Sequence, residues 1–212
     1  IGRWKALNGL KPVRPMVMID QVCWNEMNVN DELSTQCQDG WCSGVEWWLK
    51  HLLYRWKHMR VDMVVEPFVN VHAAVGGFDF GVQIIETTAA IDPKSDVVGH
   101  HYEDQFKTED DLVKIKTPKL VYDAKATAEM LERAHGVFDG ILGVRLQGWM
   151  PGFAPWDVLA MWHSPGAILY DLADRPEFMH KLIARFTEAT LAALDQAEAL
   201  GVAWAGLMLG AP

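Results

Sequence analysis

The 212 residues carry 28 acidic and 19 basic side chains, giving a net charge of −9 and a pI near 5.3, and half of them are hydrophobic. That apolar share supplies a sizeable core and excludes a disordered chain, while an acidic balance with no basic run excludes a nucleic-acid surface, which needs clustered Lys and Arg. No apolar stretch approaches the ~20 residues of a membrane-spanning helix and no signal sequence opens the chain, so a cytoplasmic protein without a membrane partner is expected.

Cys23, Cys37 and Cys42 form no even framework, so reduced thiols are expected. Ten Trp and ten Met suit a core and would also suit a wide apolar pocket. The chain begins at Ile1 and stops at Pro212 directly after an apolar run, and both ends read as cuts through a longer polypeptide.

Residues 15–19, PMVMI, read as a short strand, followed by a polar, irregular stretch through Gly40. Ser43 and Glu46 then read as a capping pair, and Val45, Trp48, Leu49, Leu52, Leu53 and Trp56 recur at helical spacing. The run 61–71, VDMVVEPFVNV, has the apolar and β-branched content of a strand buried on both faces, as in a parallel sheet. Residues 81–88 and 97–102 flank a turn signal at Asp92-Pro-Lys-Ser95 and predict an inserted hairpin.

Thr108 caps a short acidic helix, and Asp123 opens another that Gly136 stops. Residues 141–149, ILGVRLQGW, read as the next strand. Asp174 and Glu177 bracket Pro176 as a second capping box, opening a helix with an apolar stripe from Met179 to Ala197 that ends at Gly201. Residues 202–209 read as a third buried strand. Strands separated by helices imply parallel crossovers, in an open sheet or a closed barrel. The run 72–77, HAAVGG, lacks the glycine spacing of a dinucleotide fold.

The run Gly152-Phe-Ala-Pro155-Trp156-Asp157, then residues 170–177, YDLADRPE, and a long helix closing on Gly201 resemble the uroporphyrinogen decarboxylase superfamily. Asp62 at the head of the 61–71 run, the hairpin after it, and Glu109-Asp-Asp-Leu before Pro118 extend the resemblance over nearly the whole chain. It implies an α/β fold of the TIM type, with residues 1–212 as the N-terminal part of a single β/α barrel carrying an inserted β-hairpin, its C-terminal part absent.

The superfamily's decarboxylases carry an Arg-Gln-Ala-Gly-Arg signature whose arginines hold substrate carboxylates, and an aspartate at the end of the next strand. This chain reads Gln21-Val-Cys-Trp-Asn25 and Val65-Glu-Pro-Phe-Val-Asn70 there, without those arginines or that aspartate. A substrate with many carboxylates needs charge-assisted, preferably bidentate donors. The resemblance therefore implies the superfamily's other branch, which moves methyl groups to or from corrinoids. The expected function is corrinoid-linked methyl transfer from a small or aromatic donor. Decarboxylation of uroporphyrinogen or another carboxylated substrate is the enzymatic alternative, and a non-catalytic partial barrel acting as an assembly module is the third.

Zinc and a corrinoid are implied only if the missing half supplies their ligands, so this segment alone is expected to bind no cofactor. The expected partners are a small-molecule substrate, a corrinoid protein, and a second chain, in a homo-oligomer or otherwise, covering open sheet edges.

Barrel enzymes build their sites at the C-terminal ends of the strands. That rule selects Glu66, Asn70 and His72 from the first buried run, Gln147 and Trp149 from the second, and Met208 from the third. His72 is the expected general acid or base, because imidazole readily exchanges a proton near neutral pH. Glu66, inside an apolar run, is expected to be catalytic, since a charge there needs a partner or a lumen. Asn70, Gln147, Trp149, Trp24 and Met208 are the expected substrate contacts, with turn formation and packing as their structural alternatives. His100 and His101 point to opposite faces of a strand and do not converge on a metal. His51, His58 and His163 read as solvated or interhelix residues, and no metal site is expected.

Overall fold

A computed structural model describes residues 1–19, 21–90 and 98–203, which divide into one unit up to Glu66 and another from Pro67 onward. The first unit is helical: α1 (Gly2–Asn8), α2 (Trp24–Met27) and α3 (Gly40–His58). The start of α3 differs from expectation. Asp39 is its cap, its carboxylate accepting from the Cys42 N–H at 2.9 Å. Glu46 instead reaches back to the N–H groups of Gln36 and Cys37, both at 2.8 Å, and pins the incoming loop. The apolar stripe of α3 is present but open: Leu53 and Trp56 are 63% and 65% exposed.

Residues 15–19 form no strand. Pro15 has no N–H to give a ladder, and Val17 is held by one residue, donating to the Asp62 carboxylate and accepting from the Asp62 N–H at 2.8 Å. Arg14 grips the same carboxylate at 2.8 and 2.5 Å and lowers its pKa. Asp62 therefore anchors this unit rather than opening a strand.

In the second unit, β1 (Phe68–His72) is shorter than the apolar run that encodes it, and residues 61–66 have no regular structure. Then come β2 (Val75–Gly76), β3 (Glu86–Ala90), β4 (Val98–Tyr102), a 3₁₀ turn over Glu109–Lys114, β5 (Val121–Tyr122), α4 (Ala124–Phe138), β6 (Gly143–Gln147), α5 (Pro155–His163), α6 (Pro165–Asp174) and α7 (Pro176–Ala199). The described strands make three two-stranded sheets. β1 and β6 pair in parallel, with Asn70 opposite Arg145 and His72 opposite Gln147. β2 pairs with β5, and β3 with β4, both antiparallel. The turn expected at Asp92–Ser95 lies outside the described residues.

Asp123 caps α4, its carboxylate accepting from Ala126 at 2.8 Å. The helix runs through Gly136 to Phe138, and the chain turns at Gly140, whose φ of 81° is the conformation only glycine adopts readily. Likewise, no capping box joins Asp174 to Glu177. Asp174 is the last residue of α6, Arg175 takes the cap position, and Pro176 starts α7, so the acid falls one residue too early. α7 ends as expected, with Gly201 at a φ of 69°.

α4 packs on β1 and β6 and covers the face that carries Val69 and Val71. The main core gathers Phe80, Phe106, Ile115, Leu159, Trp162 and Phe186 between the 3₁₀ segment and α5–α7. Phe80 stacks on Phe186 at 4.8 Å between ring centroids. No helix among the described residues is long and apolar enough to cross a membrane.

Candidate functional site

The β1–β6 pair has two chemically distinct faces because side chains alternate along a strand. Val69 and Val71 are buried, whereas Phe68, Asn70 and His72 are exposed. Residues opposite one another share a face, so Gly143, Arg145 and Gln147 join them. The result is one polar row, Asn70–Arg145 followed by His72–Gln147, running toward the C-terminal ends of two parallel strands.

Arg145 is positioned from two sides. Its Nε donates to Asn70 Oδ1 at 2.9 Å, and its guanidinium lies 5.1 Å from the centroid of the Phe68 ring. Gly143 makes room for that ring, since a Cβ there would stand 2.6 Å from Phe68 Cδ1. Beyond His72, Ala73 donates to the Gln147 carbonyl at 2.8 Å, and Ala74 is tied to α4 through the Thr127 hydroxyl at 2.9 Å. The strand end is therefore fixed, while the His72 side chain stays open to solvent. A guanidinium, amides and an imidazole on one face can bind an oxygen-bearing or anionic group and exchange a proton with it.

Of the expected site residues, the structure brings together Asn70, His72 and Gln147. Trp149 follows β6, but its ring packs edge-on against Phe78 at 5.1 Å and its backbone N–H donates to the Val202 carbonyl at 2.8 Å. Trp24 lies in the first unit, edge-on to His51 at 4.4 Å and to Tyr54 at 5.9 Å. Glu66 is exposed and precedes β1, so it is not the strand-interior carboxylate that the apolar run suggested. Met208, with the third strand beyond Ala203, lies outside the described residues.

Arg145 was missed, although the alternation of Val144 and Leu146 with Arg145 and Gln147 already assigns it to the polar face. A buried network was missed as well. His163 is fully buried, with Nδ1 2.7 Å from Asp104 Oδ1 and Nε2 2.7 Å from Asp171 Oδ2. Asp171 also accepts from Arg175 Nε at 2.7 Å, and Arg175 donates to the Lys107 carbonyl. The hydrogen bonds from Arg175, then that from His163, hold the Asp171 carboxyl below its ordinary range. His51 is likewise buried, its Nδ1 2.6 Å from the Trp47 carbonyl, which makes that nitrogen the donor. Neither histidine is solvated.

His100 and His101 are exposed, and His100 Nδ1 lies 2.7 Å from Glu86 Oε2. Among the described residues no three His, Cys, Asp or Glu side chains are grouped to hold a metal ion. Comparison with family models, with curated proteins and with solved structures gives no match to this chain.

Proposed function

We propose that the chain is part of a cytoplasmic β/α-barrel enzyme of the uroporphyrinogen decarboxylase type, and that it transfers a methyl group from a small or aromatic donor to a corrinoid carried by a partner protein. The observation that carries this reading is the single polar row, His72–Gln147 beside Asn70–Arg145, on one face of a parallel strand pair whose other face α4 covers. Sites at the C-terminal ends of parallel strands are the rule in such folds.

In this mechanism the donor's heteroatom faces the row. Its bond to the methyl carbon breaks, the bonding pair stays on the heteroatom, and the methyl passes to the reduced corrinoid, which acts as second substrate. His72 gives its proton to the departing oxygen or sulfur, and Gln147 and the Asn70-held Arg145 orient the donor.

A second reading, decarboxylation of a carboxylated substrate, is favoured by Arg145, whose guanidinium suits a carboxylate. Product analysis on the purified protein decides between them. Methoxylated aromatics, methanol and methylthiol are supplied with a reduced corrinoid, and carboxylated substrates are assayed for released carbon dioxide. Methyl transfer is expected, falling about 100-fold or more in His72→Ala. Carbon dioxide release that depends on Arg145 would establish the decarboxylase instead, and no turnover of either kind would leave the assembly role.

A further inference from the structure

In the first unit, a cavity of about 570 Å³ lies at the C-terminal end of α3, lined by Arg55, Trp56, Lys57, Arg60, Val61 and Met63. That volume is in the range of small-molecule sites. Its electrostatics are unusual for a chain of net charge −9. The nearby carboxylates are already engaged: Glu32 by Lys57 at 2.8 Å and His58 at 3.1 Å, Asp62 by Arg14, and Glu46 by Lys50 at 3.1 Å. Arg55 and Arg60 are in no ion pair and make no side-chain hydrogen bond among the described residues. Arg55 goes further, since its Nε–H is buried with no acceptor among the described residues, a cost that an incoming acceptor would relieve.

Trp56 supplies the second element. It is 65% exposed and forms part of the wall of this cavity and of two neighbouring ones, of about 440 and 230 Å³. A flat indole face beside cations that have no counter-charge among the described residues matches a flat ligand carrying an oxyanion. The partial negative charge at the end of α3 opposes an anion, but it amounts to about half a charge against two full ones on Arg55 and Arg60.

We propose that this cavity binds a small planar anion, an aromatic or heterocyclic ring bearing a phosphate or carboxylate, with the ring against Trp56 and the oxyanion between Arg55 and Arg60. The proposal does not depend on the reaction assigned to β1 and β6.

Calorimetric titration of the purified protein tests it with four probes: adenylate, benzoate, adenosine and inorganic phosphate. Saturable binding is expected for adenylate or benzoate, and whichever binds identifies the anion. Adenosine and inorganic phosphate, each with half of the required chemistry, are expected to bind at least roughly tenfold more weakly. Arg60→Gln and Trp56→Ala, both at exposed positions, should each weaken binding by about tenfold or more, while His72→Ala leaves it unchanged. Absence of saturation by both adenylate and benzoate up to ~1 mM would overturn the proposal. So would inorganic phosphate binding as tightly as adenylate, or full affinity in Arg60→Gln.

Discussion

Glu46 shows how one side chain can serve a role that its spacing does not suggest. Three residues after Ser43, it looks like half of a capping box, but backbone N–H groups from the preceding loop reach it first. Hydrogen bonds from Cys37 and then Gln36 push its pKa down to about 2. A carboxyl depressed in the folded state contributes stability that is complete above its ordinary value of 4.5 and is lost as pH falls toward about 2. The same contact raises the Cys37 thiol, principally through its hydrogen bond to Glu46. Replacing Glu46 with Gln should therefore release the exposed Cys37 and speed its alkylation by iodoacetamide several-fold at pH 8. Mass-spectrometric labelling rates report this, and an unchanged rate would mean that the carboxylate does not control the thiol.

At the scale of elements, periodicity is legible where packing within the chain agrees with it. The α7 stripe from Met179 to Ala197 is buried as its spacing requires, and Asp123 and Gly201 bound their helices as expected. The 61–71 run misled because its apolar residues outnumber those that pair: Val64 and Val65 stay exposed, and pairing begins only at Phe68. Three of the four side chains in the polar row, Asn70, His72 and Gln147, were legible from chain position. The Arg145–Asn70 bond spans 75 residues and belongs to strand register, which no local pattern encodes.

Register also makes Gly143 critical. Gly143→Ala forces the Phe68 ring aside and should destabilise the protein by about 1–3 kcal/mol. Phe68→Leu in the same chain should restore part of the loss. Denaturant unfolding of the two single variants and the double variant measures that coupling, and strict additivity would show that the ring and the missing Cβ do not meet.

For the second unit as a whole, the quartet Asp104, His163, Asp171 and Arg175 joins the chain leaving the hairpin to α5, α6 and the start of α7. Both ring nitrogens of His163 face a carboxylate oxygen at 2.7 Å. His163→Ala should cost about 3–5 kcal/mol by leaving Asp171 short of a partner in the interior. Asp104→Asn, where the side chain is 28% exposed and an amide oxygen can still accept, should cost only about 1 kcal/mol. Urea unfolding at neutral pH ranks the two, and equal losses would mean that the network does not carry the load assigned to it. Because the Asp171 carboxyl is depressed, its share of the stability persists above the ordinary aspartate range and fails as pH drops below it.

The spacing of β1 and β6 also bears on how the protein is made. With partners 75 residues apart, a ribosome adding roughly 5–20 residues per second releases β1 several seconds before β6 exists to pair with it. During that interval β1 has no ladder partner, and the alternation of buried Val69 and Val71 with polar Asn70 and His72 interrupts what would otherwise be a continuous sticky segment. The side chains proposed to work on a substrate in the finished protein thus also break the apolar run of the strand before it pairs.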